Sequence, residues 1–206
     1  MTTGNQLPPP FFIADHPALD FLNSVCAPWG EDIEWLADGL ALIAWMQAAG
    51  VLGLEAGGTL VDHHPPASLD RAAVQARRLR EQFRQVVETN AGAVFPSEQL
   101  SLCEPFNQLL ADDRQHLQLV DAGTDGVALR WQREWQTPTQ LLMALSQVCM
   151  QLVASSQLAQ VKQCQGQGCT LWYVDNSKNQ QRRWCSMAVC GNRAKAAGYR
   201  ARTQKE

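Results

Sequence analysis

The chain has 206 residues, 17 Lys+Arg against 20 Asp+Glu, a formal net charge of -3 and 46% hydrophobic residues. That apolar fraction supports a packed core over one or two domains and excludes a wholly disordered chain. The most apolar run, 39–54, is broken by Gln47 and Gly50, and the opening MTTGNQLPPP has neither the basic nor the apolar part of a secretion signal; a soluble, cytoplasmic protein without membrane spans is expected.

In chain order, Pro8–Pro10 suit an extended arm, and residues 17–25 a short helix burying Leu19, Phe21 and Leu22. Asp38 is placed to cap a helix through Ala49 that Gly50 ends, with Leu42, Trp45 and Met46 at helical spacing. Gly57-Gly58 and His63-His64-Pro65-Pro66 mark a loop. The longest helical pattern runs from Ser68 to about Asn90, with Leu69, Ala72, Ala73, Ala76, Leu79, Phe83, Val86 and Val87 in one stripe. Its other face carries Arg71, Arg77, Arg78, Arg80 and Arg84, expected in solvent. Ser97 caps a helix to about Leu110 that Pro105 shortens or bends, and His116–Val120 and Val127–Trp131 alternate with period two around Gly123–Gly126 as a β-hairpin. Thr137-Pro138 opens a helix of about twenty residues with Pro138 in its first position, leading into Cys164 and coupling the two parts rigidly. The tryptophans Trp29, Trp35 and Trp45 are read as core.

Charge and cysteines divide the chain. Residues 162–206 hold nine Lys/Arg and two acids, a balance of +7, while residues 1–161 stand at -10. A basic end on an acidic body suits a polyanionic partner, or simply aids solubility. Of seven cysteines, Cys26, Cys103 and Cys149 sit singly in apolar surroundings and read as small buried groups. Cys164, Cys169, Cys185 and Cys190 follow a C-x4-C-x15-C-x4-C spacing. Two such pairs offer four thiolates, the donor set of a closed structural zinc site. An iron–sulfur cluster would use the same set, but the basic surroundings favour zinc. The fold expected is α+β, mainly α: a helical N-terminal domain (1–161) with one β-hairpin, then a small treble-clef-like zinc module (162–206). In that module a knuckle at 164–169 precedes a hairpin of Leu171–Val174 with Gln181–Trp184, and Ser186 caps a helix from Met187 to about Arg202. At 100° per residue, Met187, Cys190, Ala194, Ala197 and Ala201 form a stripe expected to face the zinc core. Arg193 and Arg200 share one flank, Lys195 and Arg202 the other. With Arg182 and Arg183 these are the candidate nucleic-acid contacts; a merely solvated helix face is the competing reading.

The same residues carry a resemblance. Trp172, Asp175 and Ser177, then Arg182-Arg183-Trp184-Cys185-Ser186-Met187, Cys190-Gly191-Asn192-Arg193 and Lys195, are similar to the zinc finger of the CGNR family, and Cys164 and Cys169 match its first ligand pair. Trp172 stands where that family would have Phe. The stretch His16-Pro-Ala-Leu-Asp-Phe-Leu-Asn23 resembles the opening of the ABATE domain that accompanies this finger. The resemblance implies a bacterial, stress-induced transcription regulator.

Elsewhere, His16, Asp20 and Asn23 are candidates for lining a ligand pocket, or for capping nearby backbone. His63 and His64 fit a surface loop better than a second metal site. No G-x-S-x-G, phosphate-binding glycine loop or H-E-x-x-H occurs, so no enzyme is expected. The leading reading is a zinc-containing regulator whose finger contacts duplex DNA and whose body senses a small-molecule effector or mediates homodimer assembly. The alternative is an RNA- or protein-binding zinc module, with Trp172 or Tyr173 stacking on bases; an enzyme whose pocket lies in residues 11–161 ranks third.

Overall fold

A long helix, α4 (Pro66–Asn90), organises the body, and the computed structural model describes it within residues 8–27 and 31–203, with side chains to Arg200. Trp29 and the side chain of Arg202 lie outside that set. All eight apolar residues of the α4 stripe are buried. Helices α1 (Pro17–Leu22), α2 (Gly39–Ala48) and α6 (Thr139–Val153) pack against it. Proline opens both α1 and α4, where its missing N–H costs nothing. Asp38 caps α2 through its carboxylate and the Ala41 N–H at 2.8 Å. Trp35, Trp45, Cys26, Cys103 and Cys149 are all buried.

The junction of α2 with α4 has no room for a side chain at Gly39, where an added Cβ would lie 2.3 Å from Leu69 Cβ and 2.4 Å from the Leu69 carbonyl carbon. Because the second obstacle is backbone, Gly39→Ala is expected to cost about 1–3 kcal/mol through overpacking, read as a lower urea midpoint with unchanged slope.

Several elements differ from expectation, each through tertiary packing. The span around Gly57-Gly58 is a helix, α3 (Leu54–His63), because Gly57 sits against Gln47 and Ile43 of α2 while Leu60 is buried. Burial there overrides the low helix propensity of glycine. Two strands not foreseen, β1 (Val25–Cys26) and β2 (Ile33–Glu34), pair and bring Glu34 onto α4. Arg80 is therefore not solvated: only 4% of its side chain is exposed, and it donates to Glu34 (2.6 and 2.9 Å), Ser24 Oγ (2.9 Å) and Glu81 (3.2 Å). Pro105 does not bend a helix. A 3-10 turn at Ser97–Cys103 precedes it, and α5 (Glu104–Ala111) begins there, placing Phe106 edge-on to Phe83.

The hairpin forms as expected from β3 (Gln115–Asp121) and β4 (Val127–Arg133), with Leu117 opposite Trp131 and Leu119 opposite Leu129. Helix α6 is shorter than foreseen: it starts after Pro138, spans 15 residues and stops at Ala154. A 3-10 turn (Ser156–Gln160) and the strand β5 (Val161–Gln163) then lead to Cys164. In the finger, β6 (Trp172–Val174) pairs with β5 and not with Gln181–Trp184. The backbone of the latter segment is engaged elsewhere: the Arg182 N–H donates to Asp175, the Arg182 carbonyl accepts from Tyr173 Oη, and the Arg183 carbonyl accepts from the Gln165 N–H. One wide π-type turn at Met187–Gly191 precedes α7 (Asn192–Thr203). Among the described residues, no helix is long and apolar enough to cross a membrane.

Candidate metal centre and basic helix

The four cysteines Cys164, Cys169, Cys185 and Cys190 converge on one point. All are buried, and their sulfurs lie within 4.8 Å of one another, with Cys169 and Cys185 4.0 Å apart. A tetrahedral ion with metal–sulfur bonds of about 2.3 Å requires sulfur–sulfur edges of about 3.8 Å, so the donors sit close to the spacing a single ion demands. Two backbone N–H groups, of Gly166 (3.4 Å) and Cys185 (3.2 Å), donate to Cys164 Sγ, as suits a thiolate. No side chain other than hydrogen fits at residue 166: an added Cβ would lie 2.7 Å from Cys190 Sγ and 3.3 Å from Cys169 Cβ. Gly168, at φ +72°, closes the knuckle in the left-handed region. The second pair is set by Ser186, whose Oγ accepts from the Val189 N–H at 3.0 Å and starts the π-type turn that carries Cys190 inward.

Four thiols this close cannot all ionise without a cation. The hydrogen bond from Cys185, with burial opposing it, draws the Cys169 thiol down to about 5, whereas Cys185 is pushed strongly up by that same pairing and by burial. Burial lifts Cys190 to about 12. A divalent ion resolves this conflict by stabilising all four sulfurs as thiolates. The residues therefore fit a structural metal, and four protein ligands leave no open position for catalysis.

The finger is tied to the body along one seam. Asn23, 3% exposed at the end of α1, accepts from the Trp172 N–H (2.9 Å) and donates to the Trp172 carbonyl (2.8 Å). Val174 N–H reaches Ala14 O and Asp175 N–H reaches Gln160 O, both at 2.9 Å. The three candidate pocket residues thus have structural tasks. His16 caps α1 through Nδ1 and the Ala18 N–H at 3.1 Å, and Asp20 accepts from the Ala14 N–H at 3.1 Å, burial pushing its carboxyl up to about 6. Asn23 joins finger to body, a partner 149 residues away that no local pattern announces. Asp175 is a hub that its place in the finger motif did not explain. Its buried carboxylate accepts from Lys162 Nζ (2.7 Å), Ser177 N (3.0 Å), Ser177 Oγ (2.6 Å) and Arg182 N (3.0 Å). Burial alone would raise its pKa, but those donors prevail and hold it down to about 2.

The six basic candidates part company. Arg182 turns inward: its guanidinium stacks 4.1 Å over the Tyr173 ring, pairs with Asp15, and donates to the carbonyls of Ile13, Val174, Trp184 and Cys185. It is a clamp between finger and N-terminal segment. Arg183 is exposed, donating to Gln165 and lying over Trp184. Arg193 and Arg200 share one groove of about 470 Å³ between the knuckle (Gln165–Gly168) and α7, while Lys195 is exposed. Arg193 donates to Gln167 O (3.3 Å) and Cys190 Sγ (3.4 Å).

The apolar stripe foreseen on the last helix docks only at its start. Cys190 is buried and Ala194 half-buried, but Met187 and Ala197 are exposed, and the side chain of Ala201 lies outside the described residues. The π-type turn advances the chain by more residues per turn than the 100° count assumes, and the finger core ends at Gly191. Most of α7 therefore projects from the finger. Trp172 and Tyr173 are buried, so neither offers a stacking surface, and the Trp172 indole N–H is buried without a hydrogen-bond partner.

A four-sulfur finger sewn onto a helical body defines a metal-dependent module with a projecting basic helix. Residues 160–203 match the family model of the CGNR zinc finger, and residues 15–156 match ABATE, described as "Putative stress-induced transcription regulator". The chain belongs to the ABATE family and carries a C-terminal CGNR finger. No curated protein matches it.

Proposed function

We propose that the chain is a zinc-containing regulator whose finger binds duplex DNA through α7 and the knuckle beside it. The observation that carries this reading is the placement of Arg193 and Arg200 along one groove of a helix exposed over most of its length, with Arg183 on the knuckle's Gln165 and Lys195 exposed on the other flank. Four sulfur donors and a closed site select zinc over ions that prefer oxygen. Arginine forks on a slender, alanine-rich helix suit phosphates and guanine edges. Arg182, foreseen as a contact, serves instead to hold the finger in place. The burial of Trp172 and Tyr173 removes the feature that favoured an RNA-stacking module. The body, tied to the finger through Asn23, Ala14 and Arg182, is placed to pass effector binding or assembly to it.

With about four cations meeting phosphates, log K against log[salt] should fall with a slope of roughly -4 on mixed duplex DNA. Arg193→Ala with Arg200→Ala should flatten the slope to roughly -2, since each lost phosphate contact removes about one, with the four cysteines still holding zinc and its content measured alongside because Arg193 also donates to Cys190 Sγ. An unchanged slope in the double variant sinks the assignment of this face. Equal affinity for duplex, single strand and RNA sinks duplex recognition.

A further inference from the structure

Among the described residues, the β3–β4 hairpin is the one element whose hydrophobic alternation has no internal use. Leu117, Leu119, Val127, Leu129 and Trp131 all lie on one face of it, between 49% and 66% exposed. The other large exposed hydrophobic residues of the described set are scattered over helices and turns, as on any protein surface. No other element packs extensively on this hairpin. Its root, however, is fixed. Arg133 forms a two-pronged pair with Asp113 (2.7 Å each) and donates to Gln147 of α6 (2.8 Å), with both charged side chains at least nine-tenths buried. A rigid base therefore presents an apolar arm.

We propose that this face is a homodimer interface, in which the hairpins of two copies of this chain pack face to face. Three considerations select a second copy as the occupant. First, a two-stranded sheet with one bare apolar face is marginal in water, and stacking two of them gives each the missing layer. Second, the five side chains expose on the order of 600 Å², at the upper end of what a monomer leaves open; two copies bury about 1,200 Å², which reaches the range of specific interfaces. Third, the apolar centre carries no charge to select a different partner; the two charges on this face sit at its ends, Asp121 accepting from the Gly123 N–H at the tip and Arg133 paired with Asp113 at the root. A two-fold axis across the strands at the Leu119–Leu129 pair sets these leucines on their counterparts, the large Trp131 over the smaller Val127 of the other copy, and Leu117 beside the rim carboxylate of Asp121. The interface is independent of what the finger binds, and it leaves the seam and the metal cluster untouched.

The test is sedimentation of the full metal-loaded chain from micromolar to sub-millimolar concentration. Wild type should be a dimer. Leu119→Asp with Leu129→Asp should weaken association by at least about a hundredfold. Bound metal and the thermal transition extrapolated to dilute protein should stay close to wild type, because both positions are exposed. Trp131→Gln, a milder change, should weaken it about tenfold or more, and Gln118→Asp on the opposite face should leave it intact. A monomeric wild type across the range overturns the proposal and gives the face to a different partner. A dimer that survives the leucine and tryptophan changes, or that Gln118→Asp disrupts equally, overturns it as well.

Discussion

Replacing Cys185 by serine is expected to release the metal and unfold the finger, while Cys103→Ser leaves metal content unchanged. Cys185 sits at the centre of the cluster, with its sulfur 4.0 Å from Cys169 and its N–H on Cys164 Sγ, so its loss removes a ligand and a support of another. The finger has little apolar core apart from the sulfurs and the β6 side chains, and a structural zinc contributes an apparent 10–16 kcal/mol, on the order of a whole domain's stability. Zinc per chain, measured by elemental analysis, should fall from about one to near zero. The fluorescence of Trp184, which lies under the Arg183 guanidinium, should shift to that of a hydrated indole. Chelation of the wild type should produce the same shift, and the DNA binding proposed above should be absent in both cases. Retention of metal and of the native Trp184 signal in Cys185→Ser would remove the cluster as the element that folds the finger.

Asp175→Asn is the second large effect, at about 3 kcal/mol. The amide keeps the shape but presents N–H groups to a site where Lys162, Ser177 and the Arg182 backbone all donate. The sign of its pH dependence follows from the depressed pKa. Folded Asp175 titrates at about 2 and an unfolded aspartate near 3.9. Its ionised form thus stabilises the fold above about pH 4, and that contribution is lost as pH falls from about 4 to 2. The stability gap between wild type and Asp175→Asn should be widest near neutral pH and should close in acid, where wild type also carries a neutral group. Denaturant midpoints of the two proteins at matched pH measure it. A gap that is constant down to the acid limit would show that the carboxylate charge is not what the donors hold.

The partners of Asp175 also show where sequence patterning stops being informative. Lys162 is 13 residues before Asp175 and belongs to the strand β5, which pairs with β6 only because the chain leaving α6 is laid beside it. Within the cluster itself, spacing sufficed, since a glycine knuckle brings Cys164 and Cys169 together and the Ser186-capped turn brings Cys185 and Cys190 together, each within a few residues. The α4 stripe, the α2 cap and the hairpin were legible for the same reason: each depends on neighbours within a turn or across one tight loop. Arg80 and Arg182 were not legible. Both lie in strongly basic stretches that suggest solvent or phosphate, and only the arrival of Glu34 in one case, and of Asp15 and Ile13 in the other, turns them inward. The stripe on the last helix misled because the finger core ends at Gly191 and residues 195–200 project beyond it, exposed.

By itself, then, the sequence determined the contrast between an acidic helical body and a basic finger, the four cysteines that cluster, and the periodicity that makes α4 and the β3–β4 hairpin. These are properties of local spacing and composition, and the chain expresses them wherever its ends lie. Tertiary structure alone decided that Arg80 and Arg182 turn inward as clamps, that Asn23 holds the finger to the body while Asp175 ties the finger's own segments together, and that the hairpin face lies exposed. Those outcomes depend on which distant groups meet. A buried arginine or asparagine keeps its place only when a specific partner replaces the water it gave up, and that partner is chosen by packing.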